Sequence, residues 1–159
     1  MLIKGLIEED FSNYKTPSMF IIMPTCSFKC DKECGYAVCQ NSSLATIGII
    51  DIDSTYIINK YLANPITESV VLGGLEPFDT FDDLLEFCKK FRIECLDDIV
   101  IYTGYEPTEI DNLVQILKRQ VKVNLCIKFG RYIPNQQSHY DNILGVYLAS
   151  DNQRGVKIC

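Results

Sequence analysis

No stretch of this chain stays apolar for the roughly 18 residues that a membrane-spanning helix requires. Its amino terminus, Met1-Leu-Ile-Lys-Gly-Leu-Ile-Glu-Glu-Asp10, also lacks the charged-then-apolar pattern of a secretory signal. A cytoplasmic protein with no membrane partner is the expectation. Basic residues are scarce as well. The 15 lysines and arginines stand against 21 aspartates and glutamates, a net charge of −6, and no basic block or stripe breaks the balance. Nucleic acid and anionic lipid are therefore poor partners. Histidine occurs once, at His139 in a polar segment, where a surface position is the ordinary reading. Linkers, internal repeats and low-complexity tracts are absent too. The 159 residues suit one domain spanning 1–159, able to bury about two-thirds of its unfolded surface without disulfide staples.

Cysteine, by contrast, is abundant, with eight residues. In a reducing compartment these are ligands or core thiols rather than disulfide partners. Cys88 falls in an amphipathic helix pattern and Cys126 in an apolar strand, and both read as small buried hydrophobes. Cys95 lies near a turn and Cys159 at the last residue; neither carries an assignment. The other four crowd into Cys26-Ser-Phe-Lys-Cys30-Asp-Lys-Glu-Cys34-Gly-Tyr-Ala-Val-Cys39, a C-x3-C-x3-C-x4-C loop directly after the apolar run Met19 to Met23. A loop can turn such closely spaced thiolates inward on one metal centre. Zinc and iron–sulfur are the candidates. Zinc knuckles pair their cysteines as CxxC at two separated places, a spacing this chain lacks, so iron–sulfur is favoured. Four thiolates would saturate a 4Fe-4S cluster and leave it only electrons to pass. Three would leave one iron open to a substrate.

Around this loop, apolar runs and amphipathic patterns alternate. Strands are predicted at Met19–Met23, Ser69–Gly73, Asp98–Thr103, Asn124–Phe129 and Leu144–Ala149, with Ile47–Ile52 a further strand or a loop edge. Helices are predicted from Asp53 or Ser54 to Asn64, from Thr80 past Phe91 with Asp83 in the capping-box position, and from Pro107 or Thr108 past Lys118 and Arg119. The first 16 residues read as one short strand and a lead-in, and Gly130–Ile143 as a surface loop. Such alternation demands a mainly parallel sheet with helices over it. The strands are too few for a closed eight-stranded barrel, so the expected fold is α/β, an open partial (β/α) barrel with helices on the outside. Ligands of parallel α/β folds bind at the carboxyl ends of the strands. Cys26, Gly73-Gly74, Gly104 and the segment after Ala149 would share that rim.

Four motifs in this order bring a family into view: the cysteine loop after the first long strand, Gly73-Gly-Leu-Glu-Pro77, Tyr102-Thr-Gly-Tyr105 and Ser150-Asp-Asn-Gln-Arg154. From Phe20 to Ile158 the chain resembles radical S-adenosylmethionine (SAM) enzymes, and among them the activating enzymes of anaerobic (class III) ribonucleotide reductases and their small relatives. The family loop is usually C-x3-C-x2-C with a trailing polar pair. Cys26-x3-Cys30 matches, and Cys39 with Gln40-Asn41 stands as the third ligand and its pair, eight residues on rather than two. Cys34 is the alternative third ligand, one residue out of register. Val38 replaces the aromatic residue common before the last ligand, and Leu75 is additional within the Gly-Gly-Glu-Pro pattern.

The resemblance implies a 4Fe-4S cluster on Cys26, Cys30 and Cys39, and a SAM site built by Gly73, Gly74, Glu76, Ser150, Asn152 and Gln153. It implies an oxidoreductase that cleaves SAM reductively to a 5'-deoxyadenosyl radical and makes a glycyl radical on the large subunit of anaerobic ribonucleotide reductase. A flavodoxin- or ferredoxin-type reductant would supply the electron. Two other readings stay open: a radical SAM enzyme acting on another peptide or small molecule, and a non-catalytic iron–sulfur or zinc protein with four cysteine ligands.

Overall fold

The polar amino terminus folds as two strands, β1 (Leu2–Ile3) and β2 (Gly5–Asp10), ahead of the apolar run that forms β3 (Ser18–Ile22). The cysteine loop follows and contains one short helix, α1 (Lys29–Cys34). A two-residue strand, β4 (Ile50–Asp51), pairs antiparallel with β1. Helices and strands then alternate as the apolar pattern implies: α2 (Ser54–Ala63), β5 (Ser69–Gly73), α3 (Phe81–Glu94), β6 (Asp98–Tyr102), α4 (Asp111–Val121) and β7 (Leu125–Phe129). Three short strands complete the chain, β8 (His139–Asp141), β9 (Val146–Leu148) and β10 (Arg154–Lys157). The computed structural model describes residues 1–159. None of its helices is long and apolar enough to cross a membrane.

The central sheet has six strands in the order β10-β7-β6-β5-β3-β2. Its four inner members, β3, β5, β6 and β7, run parallel in chain order. They read as continuous apolar runs because both faces are covered. Met19, Ile21, Leu72, Ile101 and Ile127 turn toward α2, α3 and α4 and share a 24-residue core with Ile57, Phe87, Phe91 and Leu117. Phe20, Val71, Val100 and Cys126 turn the other way, into a smaller core with Tyr14, Leu144 and Leu148. All three long helices thus lie over one face, and loops cover the other. The sheet is open: its edge strands, β2 and β10, are antiparallel to their neighbours, and no barrel closes.

The local capping signal holds at α2, where Asp53 Oδ1 accepts the Thr55 N–H at 2.8 Å as an N-cap. It does not hold at α3. Thr80 precedes that helix without a side-chain cap, and Asp83 Oδ2 instead accepts the Leu2 N–H at 3.1 Å. A larger difference lies near the carboxyl end. Leu144–Ala149 does not extend the central sheet; Val146–Leu148 pairs with His139–Asp141 in a separate hairpin, inside and beyond the stretch that reads as a surface loop. The place beside β7 goes to Arg154–Lys157, whose sequence Arg-Gly-Val-Lys carries no strand pattern. An edge strand buries little, so charge and glycine are tolerated there and hide it.

Asp141 joins these two late additions. Its Oδ1 accepts the Ile143 and Leu144 N–H groups, each at 2.9 Å, and its Oδ2 accepts the Gly155 N–H of β10 at 2.7 Å. A Cβ on Gly155 would stand 2.7 Å from Leu144 Cγ, so glycine permits this approach. Replacing Asp141 by alanine strands three amide groups, two of them buried. Asp141→Ala is expected to lower the unfolding free energy by about 2–3 kcal/mol, checked by urea unfolding followed by circular dichroism.

Candidate metal centre

Parallel strands that end together bring the loops after them together. Cys26 follows β3, Gly74-Leu75-Glu76 follows β5, Thr103-Gly104-Tyr105 follows β6, and Gly130-Arg131 follows β7. All of these residues line one cleft of about 460 Å³, within the ordinary range of small-molecule sites. Cys26, Cys30 and Cys39 line it with Gln40 and Asn41; Cys34 does not.

The local folding of the loop explains this division. Phe28 adopts a left-handed conformation (φ 51°), and its N–H donates to Cys26 Sγ at 3.3 Å. One short helix carries the chain past Cys30 and Cys34, and Gly35 (φ 75°) reverses it, its N–H bonded to the Asp31 carbonyl at 2.9 Å. Asp31 Oδ1 then accepts the N–H groups of both Val38 and Cys39 at 2.8 Å. This folds the excursion back on itself and sets the Cys39 side chain against that of Cys30. Burial pushes the Cys26 thiol up to about 11, and burial together with Cys39 pushes Cys30 up to about 12. Such thiols become thiolates when an electropositive centre stabilises the charge. Three cysteine thiols and no histidine line the cleft, a donor set that suits an iron–sulfur cluster.

Two charged side chains share the cleft without sharing a bond. Glu76 is 6% exposed; its Oε1 accepts from Thr103 Oγ1 at 2.7 Å and the Phe78 N–H at 3.1 Å, and its Oε2 accepts the Gly104 N–H at 2.8 Å. Burial outweighs these three hydrogen bonds and pushes its carboxyl up to about 7. Lys128, in β7, is 7% exposed and donates to the Gly130 carbonyl at 2.7 Å; burial lowers its ammonium to about 8. No motif marks Lys128; its one signal in the sequence is a lone cation inside the apolar run Leu125-Cys-Ile-Lys-Phe129. Nor does a motif mark Arg131, whose Nη2 bonds Glu109 Oε1 at 2.6 Å and whose Nε stands 3.2 Å from Glu33 of α1. Lys29 Nζ adds a contact to Glu109 at 3.1 Å. These pairs pin the cysteine helix to the loops after β6 and β7.

Of the residues singled out from sequence, the cleft gathers Cys26, Cys30, Cys39, Gly74, Glu76 and Gln153. Cys34, Gly73, Ser150 and Asn152 stand outside its lining. Gly73 serves packing, since a Cβ there would come within 2.9 Å of Tyr102 Cβ. Gly74 takes φ +78°, which favours glycine. Ser150 Oγ donates to the Arg131 carbonyl at 3.4 Å, and Asn152 Nδ2 donates to the same oxygen at 3.0 Å. Gln153 accepts from Ala149 N at 3.0 Å and donates to the Gly130 carbonyl at 3.3 Å. The fourth motif thus braces the loop after β7 from behind.

Fold and site together define a class: an α/β protein that presents cysteine thiols in a cleft at the carboxyl ends of parallel strands. A family model described as a 4Fe-4S single cluster domain matches residues 18–154. The chain belongs to that family, and a 4Fe-4S cluster is the group its cysteine loop is suited to hold. No curated protein and no solved structure matches the chain.

Glu76 generates a pH prediction. Its folded pKa of about 7 lies above the ordinary 4.5, so its contribution to stability is fully present below the lower value and is lost as pH rises through the higher one. The loss is on the order of 3 kcal/mol. Urea unfolding of the metal-free protein should therefore show wild type losing stability across this window relative to Glu76→Gln.

Proposed function

We propose that the chain is a radical SAM activating enzyme, with a 4Fe-4S cluster on Cys26, Cys30 and Cys39 and SAM bound in the adjoining cleft. The observation that carries this reading is that three of the four loop cysteines, not four, line a cleft large enough for a small molecule. A saturated electron carrier needs a fourth thiolate and no such cleft. When bound, the reduced cluster would supply the electron that cleaves SAM to methionine and a 5'-deoxyadenosyl radical.

The chain's own residues suit the cofactor's charges. The carboxyl of Glu76, desolvated and held only by neutral donors, favours a cationic group such as an α-ammonium. The ammonium of Lys128, bonded only to a carbonyl, favours a carboxylate. Gly74 keeps the loop backbone free of side-chain bulk beside them, and Gln40, Asn41 and Gln153 add polar contacts to the lining. The radical's acceptor is a glycine on the large subunit of anaerobic ribonucleotide reductase, which would complete the rim, and a flavodoxin- or ferredoxin-type protein would be the electron donor. The protein would act in the cytoplasm.

The test is anaerobic reconstitution with iron and sulfide, followed by dithionite, SAM and an assay for 5'-deoxyadenosine. Cys34→Ser should keep wild-type iron content and product formation, whereas Cys39→Ser should lose both. Loss of the cluster from Cys34→Ser would establish a fourth thiolate and turn the reading to a non-catalytic electron carrier. Product without a glycyl radical on the reductase would point to another peptide or small-molecule acceptor. Lys128→Met should keep the cluster yet bind SAM about tenfold or more weakly, since a hydrogen bond to a charged group is worth about 1.5–3 kcal/mol. Equilibrium binding to the reconstituted protein measures this.

A further inference from the structure

The eight residues between Cys30 and Cys39 are a long way for two ligands of one cluster to be separated, and a flexible connection of that length would leave the later thiol unplaced. Helix α1 takes up the first part and Gly35 turns the chain. From Tyr36 to Cys39 no helix or strand holds the backbone. The N–H groups of Val38 and Cys39 have one partner, the same oxygen, Asp31 Oδ1, at 2.8 Å each. On the other side the Cys39 carbonyl accepts only the Ser42 N–H, at a longer 3.3 Å.

Asp31 itself is fixed. It follows Cys30 directly, stands in the first turn of α1, and its main-chain carbonyl accepts the Gly35 N–H. One carboxylate oxygen therefore measures the return of the chain from a point adjacent to one thiol to the amide of the other. Cys34, on the same helix, stands outside the cleft.

We infer that Asp31 is the positioning residue for the third cluster ligand: its Oδ1 bridge to the Val38 and Cys39 amides places the Cys39 thiol beside Cys30. This rests on the three-cysteine reading of the site. It assigns the excursion a function, a folded spacer that restores across eight residues the closeness of ligands that a short connection provides by length alone. Asp31 does not touch the cluster's irons in this account. It acts through the cysteines: its Oδ1 holds the Cys39 amide, and the same oxygen stands 3.9 Å from Cys30 Sγ.

The experiment compares wild type, Asp31→Ala, Asp31→Asn and Cys39→Ser after anaerobic reconstitution. It reads the rate of iron loss to a chelator and the electron paramagnetic resonance (EPR) spectrum of the reduced cluster, with circular dichroism of the metal-free proteins as the folding control. Asp31→Ala should fold as wild type, lose iron about 10- to 100-fold faster, as removal of a residue that orients a metal ligand does, and show an altered EPR line shape. Asp31→Asn keeps an oxygen at the same place and should restore both the rate and the spectrum. Adding Cys34→Ser to Asp31→Ala should abolish the residual cluster if Cys34 substitutes for a displaced Cys39. Wild-type iron retention and spectrum in Asp31→Ala, beside a Cys39→Ser protein that has lost its cluster, would overturn the inference and leave the three-cysteine reading intact. An Asp31→Asn protein as leaky as Asp31→Ala would overturn the hydrogen-bond role. A cluster retained in Cys39→Ser would remove the three-cysteine reading, and this inference with it.

Discussion

Four parallel strands buried on both faces must all end at one edge, and that constraint organises everything else in the molecule. The backbone groups of four loops meet there with no ladder to satisfy them. Glu76 resolves part of the problem: its buried carboxylate ties the loop after β5 to the loop after β6 through Thr103 Oγ1 and the Gly104 N–H. Lys128 does the same within the loop after β7, through the Gly130 carbonyl. Each of these groups is charged, desolvated and hydrogen-bonded only to neutral partners. Burial consequently moves both toward neutrality, the carboxyl upward and the ammonium downward. A ligand carrying the complementary charges would relieve both at once. That is the physical content of the proposed SAM site.

The cysteine loop meets a different difficulty, for it must hold its thiols in place without a regular element beneath them. It solves this with pieces of several kinds. Phe28 is held in a left-handed conformation, α1 fills the excursion, and Arg131, Glu109, Lys29 and Glu33 clasp that helix to the rim. Lys4, buried beneath the sheet edge, donates to the carbonyls of Ala45 and Ile47 and anchors the chain after the last thiol. Leu44 then packs where a side chain on Gly74 would otherwise stand, 3.1 Å from its virtual Cβ. Two sides of the cleft are thus fastened to each other by one leucine and one glycine.

Much of this was legible from the amino-acid sequence because burial leaves a pattern. The inner strands are apolar runs, the long helices carry amphipathic stripes, and the thiols of Cys88 and Cys126 lie in the core as their surroundings imply. What was not legible shares a cause: it depends on contacts between residues distant in sequence that bury little apolar surface. β10 is an edge strand of glycine and charge, recognisable only once β7 is beside it. Ser150 and Asn152 carry polar side chains that a motif cannot aim, and they bond to the wall of the site. The choice between Cys34 and Cys39 could not be made by counting residues, because the return of Cys39 to the cleft depends on its N–H donating to Asp31 Oδ1, a contact that spacing does not reveal. Lys128 was hidden by its setting, an apolar strand whose pattern gives no reason for a cation.

The central claim is that one iron of the cluster is free to take a ligand in the cleft. It is tested most directly by the EPR spectrum of the dithionite-reduced, reconstituted wild-type protein, recorded with and without SAM. The account predicts that SAM changes the g-values, because its amino and carboxylate groups add to an iron that no thiolate occupies. An intact, fully reduced cluster whose spectrum is indifferent to saturating SAM would contradict it.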